Sequence, residues 1–211
     1  MKTNHMDQVA EVELVKQAMA GSKDAFARLV TFNQQKILRT CRAFVRDPDL
    51  AKDMAQDTFV KAWLSLQHFK GHSSFSTWLY RIAVNLSINH LNQQKRRGFF
   101  HSLSAFVAGE KSELRDIASA ERNPQQAMEQ QQAQQVIHSA IDSLPENQRV
   151  AFVLQKFDNL SVREVAAVMQ TSESAVESLL SRAKANVQKY IMKKKDNDPK
   201  ENKSKTVKLI N

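Results

Sequence analysis

Apolar residues recur at helical spacing along most of the chain, and no stretch alternates apolar and polar residues with β-branched enrichment. Phe26, Leu29, Val30, Ile37, Cys41 and Phe44 share one face of a helix predicted from about Ser22 to Val45, with Ser22 as N-cap and Asp24 in its first turn. Pro48 opens a second helix, to about Gln67, with Leu50, Met54, Phe59, Ala62, Trp63 and Leu66 facing inward. The polar loop Phe69-Lys70-Gly71-His72-Ser73-Ser74-Phe75 leads into a third helix, from about Ser76 to Arg97, whose inner positions are Leu79, Ile82, Ala83 and Leu86. Glycine and proline number only four each and fall at breaks in the periodicity, which sets the fold class as all-α.

Residues 98–123 show no clean period and hold two of the four glycines, so they read as a linker, although Phe99, Phe100, Leu103 and Phe106 are unusually apolar for one. Asn123-Pro124 has the form of a helix start, and a Gln-rich run follows it to Gln135. Ile137, Ile141 and Leu144 carry the next buried face. Pro145 opens a further helix, with Val150, Val153, Leu154 and Phe157 inward. Ser161 and Glu164 then stand at capping-box spacing ahead of Val165, Ala166 and Met169. Gln170 to Glu173 break that pattern. A last helix places Val176, Leu179, Leu180, Ala183, Val187 and Tyr190 within a sector of roughly 100°. The expected organisation is two small helical domains joined by a flexible linker. Residues 1–21 form an N-terminal extension, 22–97 the first domain, 98–130 the linker, 131–192 the second domain, and 193–211 a basic disordered tail.

The opposite face of the last helix is small and polar: Ser174, Ser178, Ser181 and Ala185, flanked by Glu177, Arg182 and Lys189. Such a face can come close to base edges in a major groove, and two helices joined by a tight polar turn read as helix-turn-helix. An ordinary helical hairpin with a solvated outer face fits the same periodicity. Asp53, Gln56 and Asp57 form an outer acidic-amide face on the second helix, which suits either solvent or a protein contact. Asn85 and Asn89, four apart, share a face that can hydrogen-bond bases. Lys95-Arg96-Arg97 suits phosphates, and equally a helix C-terminus.

Charge and chemistry sharpen this picture. The net charge is +9, and residues 193–211 carry seven lysines against Asp196, Asp198 and Glu201. The remaining excess is moderate and suits a DNA partner. Cys41 is the single cysteine, so no disulfide can form within the chain and no thiolate cage can assemble. His68 and His72 are four apart but flank Gly71 in a loop, with no further ligand at useful spacing, so no metal site is expected. No phosphate-cradling glycine loop or recognisable pair of catalytic carboxylates is present, so neither an enzyme nor a cofactor is expected. No apolar run is long enough to span a bilayer and the N-terminus lacks a signal-like segment, which points to a cytoplasmic protein.

Three stretches carry a resemblance. DLAKDMAQDTFVKAW (49–63), FKGHSSFSTWLYRIAVNLSINHLNQQKRR (69–97) and LPENQRVAFVLQKFDNLSVREVAAVMQTSESAVESLLSRAKANV (144–187) resemble, in order and spacing, the signature segments of bacterial sigma factors of the extracytoplasmic-function (ECF) group. The resemblance implies that core RNA polymerase and promoter DNA are partners and that no small molecule is a substrate. It implies that Asp53, Gln56 and Asp57 face the clamp helices of the polymerase's largest subunit, with the flap as a second polymerase contact. It assigns Lys70, Gly71, His72, Ser73, Ser74, Phe75, Asn85, Asn89, Arg96 and Arg97 to the minus-ten element, where a base is flipped into a pocket. Ser174, Glu177, Ser178, Ser181 and Arg182 are assigned to the minus-thirty-five element. Members of the group are generally held by an anti-sigma factor, often membrane-bound, and such a partner is implied here too. Two positions depart from the group: many relatives carry Asp where Asn89 stands, and Lys or Arg where Glu177 stands. A glutamate favours a cytosine amino group over a phosphate, so the promoter sequence does not transfer from relatives. The competing reading is a stand-alone helix-turn-helix regulator, which usually carries an α/β sensor domain; the all-helical N-terminal half argues against it.

Overall fold

The computed structural model describes residues 8–45, 47–108 and 135–197, and among these every regular element is helical. In order they are α1 (Gln8–Met19), α2 (Lys23–Phe44), α3 (Pro48–Ser65) with a 3-10 turn at Leu66–His68, and α4 (Phe75–Ala108). After these come α5 (135–142), α6 (Glu146–Lys156), α7 (Val162–Met169) and α8 (Glu173–Asn197). The expected helix start at Asn123-Pro124, most of the linker and the tail beyond Asn197 lie outside the described residues.

The local start signals act as their chemistry requires. The Ser22 side chain accepts the Ala25 N–H. Asp47 accepts the N–H groups of Asp49 and Leu50, with Pro48 in the first turn. Ser161 and Glu164 form the capping box reciprocally, each side chain taking the other's backbone N–H. Each cap satisfies donors that a helix leaves without an internal partner. Two elements depart from the periodicity reading. α1 is a helix within what read as an extension, with Leu14, Val15 and Ala18 buried. α4 does not stop at Arg97 but runs through Gly98 to Ala108.

The chain folds as two compact units that do not follow the order of the sequence: residues 1–91 join with 150–177, and 92–149 with 178–211. In the first unit α1 packs on α2 and α2 on α3. Leu29, Ile37, Cys41, Phe44, Leu66, Phe75 and Leu79 are buried there, with Val153, Leu154, Val165 and Val176 from the later segment. In the second unit Ala140, Ile141, Leu144, Ala183 and Val187 are buried, and Asn186 donates to the Gln148 side chain at 2.8 Å. Arg149, itself buried, pairs with Asp142.

The turn after α6 supplies the first unit's one described buried carboxylate. Asn159 adopts the left-handed conformation (φ 55°), and the Leu160 N–H returns to the Leu154 carbonyl. This turns Asp158 inward. Its Oδ1 accepts from Arg39 Nε at 3.0 Å and its Oδ2 from Thr40 Oγ1 at 2.7 Å. The carboxylate is fully buried, while Arg39 is half exposed. Thr40 Oγ1 also lies 3.0 Å from the Lys36 carbonyl. A hydroxyl has one proton, and the shorter, charge-assisted bond to Asp158 claims it. Nearby, Arg81 Nη2 donates to the Ala167 carbonyl at 2.8 Å. Burial raises the Asp158 pKa above the ordinary carboxylate value, and the hydrogen bonds from Thr40 and Arg39 only partly offset it.

Two outcomes follow from this buried acid. Thr40→Val keeps the volume but strips Oδ2 of its donor, and should lower the unfolding free energy by about 1–3 kcal/mol in urea titrations. The second concerns pH. Because the folded pKa is raised, the folded chain keeps a proton that the unfolded chain has already released. Stability relative to Asp158→Asn should therefore fall as pH rises from about 4 and then level off once the folded carboxyl has titrated. Denaturation of both proteins across about pH 4–7 measures it; a difference that rises over that interval would show a carboxylate held net favourably as an anion.

Candidate nucleic-acid interface

The side chains singled out in the sequence fall on three surfaces. On α3, Asp53, Gln56 and Asp57 are all exposed, and the helix is turned so that Ala51, Met54, Ala55, Thr58, Phe59 and Ala62 are buried. Beside this acidic face runs an apolar groove between α2 and α3, lined by Phe26, Val30, Leu38, Phe59 and Trp63 among others. The Phe26 and Trp63 rings pack at 4.9 Å. On its rim Val60 and Leu64 are 49% and 74% exposed, unusual for aliphatic side chains at neighbouring helical positions.

The second surface is the loop ahead of α4 and the helix it starts. Lys70, Gly71, His72 and Ser74 are exposed and Ser73 half-buried. Gly71 has φ +70°, a region that L side chains rarely enter. Phe75 differs from the rest of the set. It is 1% exposed and packs against Phe69 and Trp78, with ring centroids 6.0 and 5.7 Å away. It serves as a support beneath the loop, and the half-buried Trp78, 5.2 Å from Phe69, is the neighbouring ring nearer to solvent. Ser74 Oγ accepts the Thr77 N–H at 3.1 Å, and Glu11 Oε1 on α1 accepts the Phe75 N–H at 2.8 Å. Asn85 and Asn89 are exposed one turn apart on α4, and Arg96 and Arg97 are exposed further along it. These arginines sit more than two turns before Ala108. A helix-terminus role does not account for them, since that effect is confined to the last turn.

The third surface is the start of α8. Gln170 takes the left-handed conformation (φ 54°), and the Gln170 and Thr171 N–H groups both return to the Ala166 carbonyl, closing α7. Ser172 Oγ then accepts the Ala175 N–H at 3.2 Å and opens α8. The turn between the two helices is thus three residues long, Gln170 to Ser172, and both its ends are hydrogen-bonded. Val176, Ala183 and Val187 are buried on the inner side. Ser174, Glu177, Ser178, Ser181 and Arg182 are all exposed on the outer side, with Arg182 Nη2 3.4 Å from Ser178 Oγ. The pattern of small hydroxyls with one acid and one guanidinium is chemically fit to meet base edges and phosphates.

Residues 29–97 match the model of Sigma-70 region 2, and residues 134–187 match that of Sigma-70, region 4. Over 195 residues the chain is 38% identical to the RNA polymerase sigma-H factor of Pseudomonas aeruginosa, covering 90% of this chain and 96% of that one. The chain belongs to the ECF sigma factors. It is also 35% identical over 178 residues to the ECF RNA polymerase sigma-E factor of Escherichia coli K12, covering 84% of this chain and 92% of that one. Among solved structures it is similar to CnrH in complex with the cytosolic domain of CnrY, with TM-score 0.62, 25% identity, and 90% and 99% of the two chains covered. It shares its fold with the sigma factor RpoE of Bartonella quintana, solved with the anti-sigma factor NepR, at TM-score 0.56 and 24% identity over 81% and 98% of the two chains.

The region 2 match contains the α3 face, the loop and α4 as far as Arg97; the region 4 match contains the helix-turn-helix of this sigma factor. Neither contains α1, and Glu11 had no signal in the sequence beyond an acid in a first helical turn. The Val60–Leu64 edge was not singled out in the sequence, where its signal is two apolar residues off the inner face. Among the described residues no group of three His, Cys, Asp or Glu side chains is placed to hold a metal ion, and no helix is long and apolar enough to cross a membrane.

The loop's geometry gives a direct test. A Cβ at Gly71 meets no neighbouring atom, so Gly71→Ala isolates backbone strain. It should cost about 1–2 kcal/mol of stability, read as a lower Tm; an unchanged Tm would mean the loop relaxes to negative φ without loss.

Proposed function

We propose that this sigma factor joins core RNA polymerase as a non-enzymatic subunit in the cytoplasm, directs it to promoters and assists strand opening. The observation that carries the reading is that three chemically distinct, exposed surfaces lie on the segments that match regions 2 and 4, each held by buried apolar positions behind it. Asp53, Gln56 and Asp57 would face the polymerase clamp helices, and the helix-turn-helix half would also meet the flap. The loop Lys70 to Ser74, with Asn85, Asn89, Arg96 and Arg97, would take the minus-ten element. Phe75 takes part as the loop's buried support. Ser174, Glu177, Ser178, Ser181 and Arg182 would read the minus-thirty-five element. An anti-sigma factor is a further partner, as RpoE of Bartonella quintana has in its complex with NepR.

Magnitudes assign the protein a subunit's role. Opening about ten base pairs costs on the order of 14 kcal/mol at the mean stacking energy. One captured base returns about 1–3 kcal/mol. The chain alone cannot hold a promoter open, and the polymerase must supply the remainder. A stand-alone regulator would instead bind duplex DNA tightly by itself.

Run-off transcription with core polymerase on a genomic library tests the reading: discrete starts should appear only with the protein added, and tight specific duplex binding without polymerase would favour the regulator. In the same assay Asn85→Ala should keep core binding and slow strand opening by about tenfold, one base contact's worth. Glu177→Ala should shift the preferred upstream sequence; an unaltered preference would remove Glu177 from the reading face.

A further inference from the structure

The loop assigned above to the minus-ten element is fastened at both ends to α1. Ahead of it, Gln67 Nε2 donates to the Met19 carbonyl, the last residue of α1, at 2.6 Å. Behind it, the Phe75 N–H donates to Glu11 Oε1, near the start of α1, at 2.8 Å. The intervening residues make one further side-chain bond of their own before Ser74, from Ser73 Oγ to the Ser74 carbonyl at 3.3 Å. The rest of the loop is exposed, and Gly71 lets the chain reverse within it.

The two acceptors at the head of α4 do different work. Ser74 Oγ takes the Thr77 N–H, a cap from within the chain's own local sequence. It fixes that a helix begins there, but not where that beginning sits. Glu11 comes from 64 residues away and takes the first N–H of α4, one of the four donors the helix cannot satisfy itself. A carboxylate there also meets the positive end of the helix dipole. Glu11 therefore pins the first residue of α4 to α1. Phe75 is that residue, and through Phe69 and Trp78 it carries the aromatic floor under the loop.

We infer that Glu11 is a positioning residue for minus-ten recognition: its bond to the Phe75 N–H sets the shape of the 70–74 loop that would receive the flipped base. The inference rests on the assignment of that loop under the proposed function. Glu11 itself is half-buried behind the loop and touches no DNA in this scheme.

The test uses holoenzyme reconstituted from core polymerase and the full chain. The probe is a fluorescent single-stranded oligonucleotide carrying the non-template minus-ten sequence obtained by run-off transcription. A matched oligonucleotide lacks the flipped base. Glu11→Ala should weaken binding of the complete oligonucleotide by about fivefold, the loss of one charged cap. It should also narrow the preference over the abasic probe by the same factor, while core affinity and binding of a duplex minus-thirty-five fragment stay at wild-type values. Glu11→Gln keeps an oxygen that can accept the N–H and should recover most of the loss. If Glu11→Ala fails to assemble with core, Glu11→Asp, one methylene short, is read in its place and should show a smaller loss of the same kind. Preference for the base unchanged in the variant, with the wild type discriminating, overturns the inference alone. Equal losses in core, upstream and minus-ten binding overturn it too, because they describe a general defect of the fold. A wild-type holoenzyme that does not distinguish the two probes overturns the loop assignment, and this inference with it.

Discussion

A single buried carboxylate ties together segments more than a hundred residues apart. Asp158 lies at the turn after α6, and Arg39 and Thr40 on α2 reach it with one bond each. Leaving an acid in a protein interior without donors costs several kcal/mol, and breaking a pair already made is more destructive than never having made it. Residues 150–177 pack with 1–91, and both donors reach the acid across that packing. Arg39 remains half in water, which lessens its own desolvation and leaves Thr40 as the interior partner. The acid also conditions its neighbours. The Cys41 thiol is pushed up to about 11, chiefly by burial, with Asp158 adding to the shift. The Tyr80 hydroxyl is pushed up as well, again by burial first and Asp158 second. The lone thiol is therefore protonated and inert at neutral pH.

The helices themselves were largely legible, because what specifies them is local. Leu29, Ile37, Cys41 and Phe44 are buried where their spacing put them, and Ser22 and the Ser161–Glu164 pair cap the helices they precede. What escaped the sequence depends on partners distant in the chain. Asp158 looks like one more surface acid until Arg39 and Thr40 are brought to it. Glu11 looks like a dipole-complementing residue until the loop arrives. α4 passes through Gly98 because a glycine costs a helix only about 1 kcal/mol relative to alanine, which its flanking turns can absorb. Gln170 and Asn159 occupy left-handed turns without being glycine, so the strongest turn signal was missing from both places.

The recognition surfaces were legible to a different degree. Their residues are polar, exposed and locally unremarkable, so spacing alone left a solvated face as an equal reading. The resemblance supplied the roles proposed for them, and the family matches place them on region 2 and region 4 segments. The structure adds discrimination within the set. Phe75 belongs to the interior and not to the exposed face, whereas Asn85, Asn89 and the polar residues at the start of α8 stand in solvent. It also removes the simplest alternative for Arg96 and Arg97, since the helix does not end there.

The continuity of α4 has an evolutionary corollary. From Phe75 to Arg96 the helix advances about 32 Å, and each residue turns the next by about 100°. One residue inserted or deleted between Asn89 and Arg96 would turn Arg96 by about 100° away from the side that Asn85 and Asn89 share. Exposed side chains along this stretch can be exchanged without moving their neighbours, whereas their number cannot be changed without doing so. Length changes among related chains should accumulate outside this stretch, leaving the spacing from aromatic floor to basic cluster as its most rigidly inherited property.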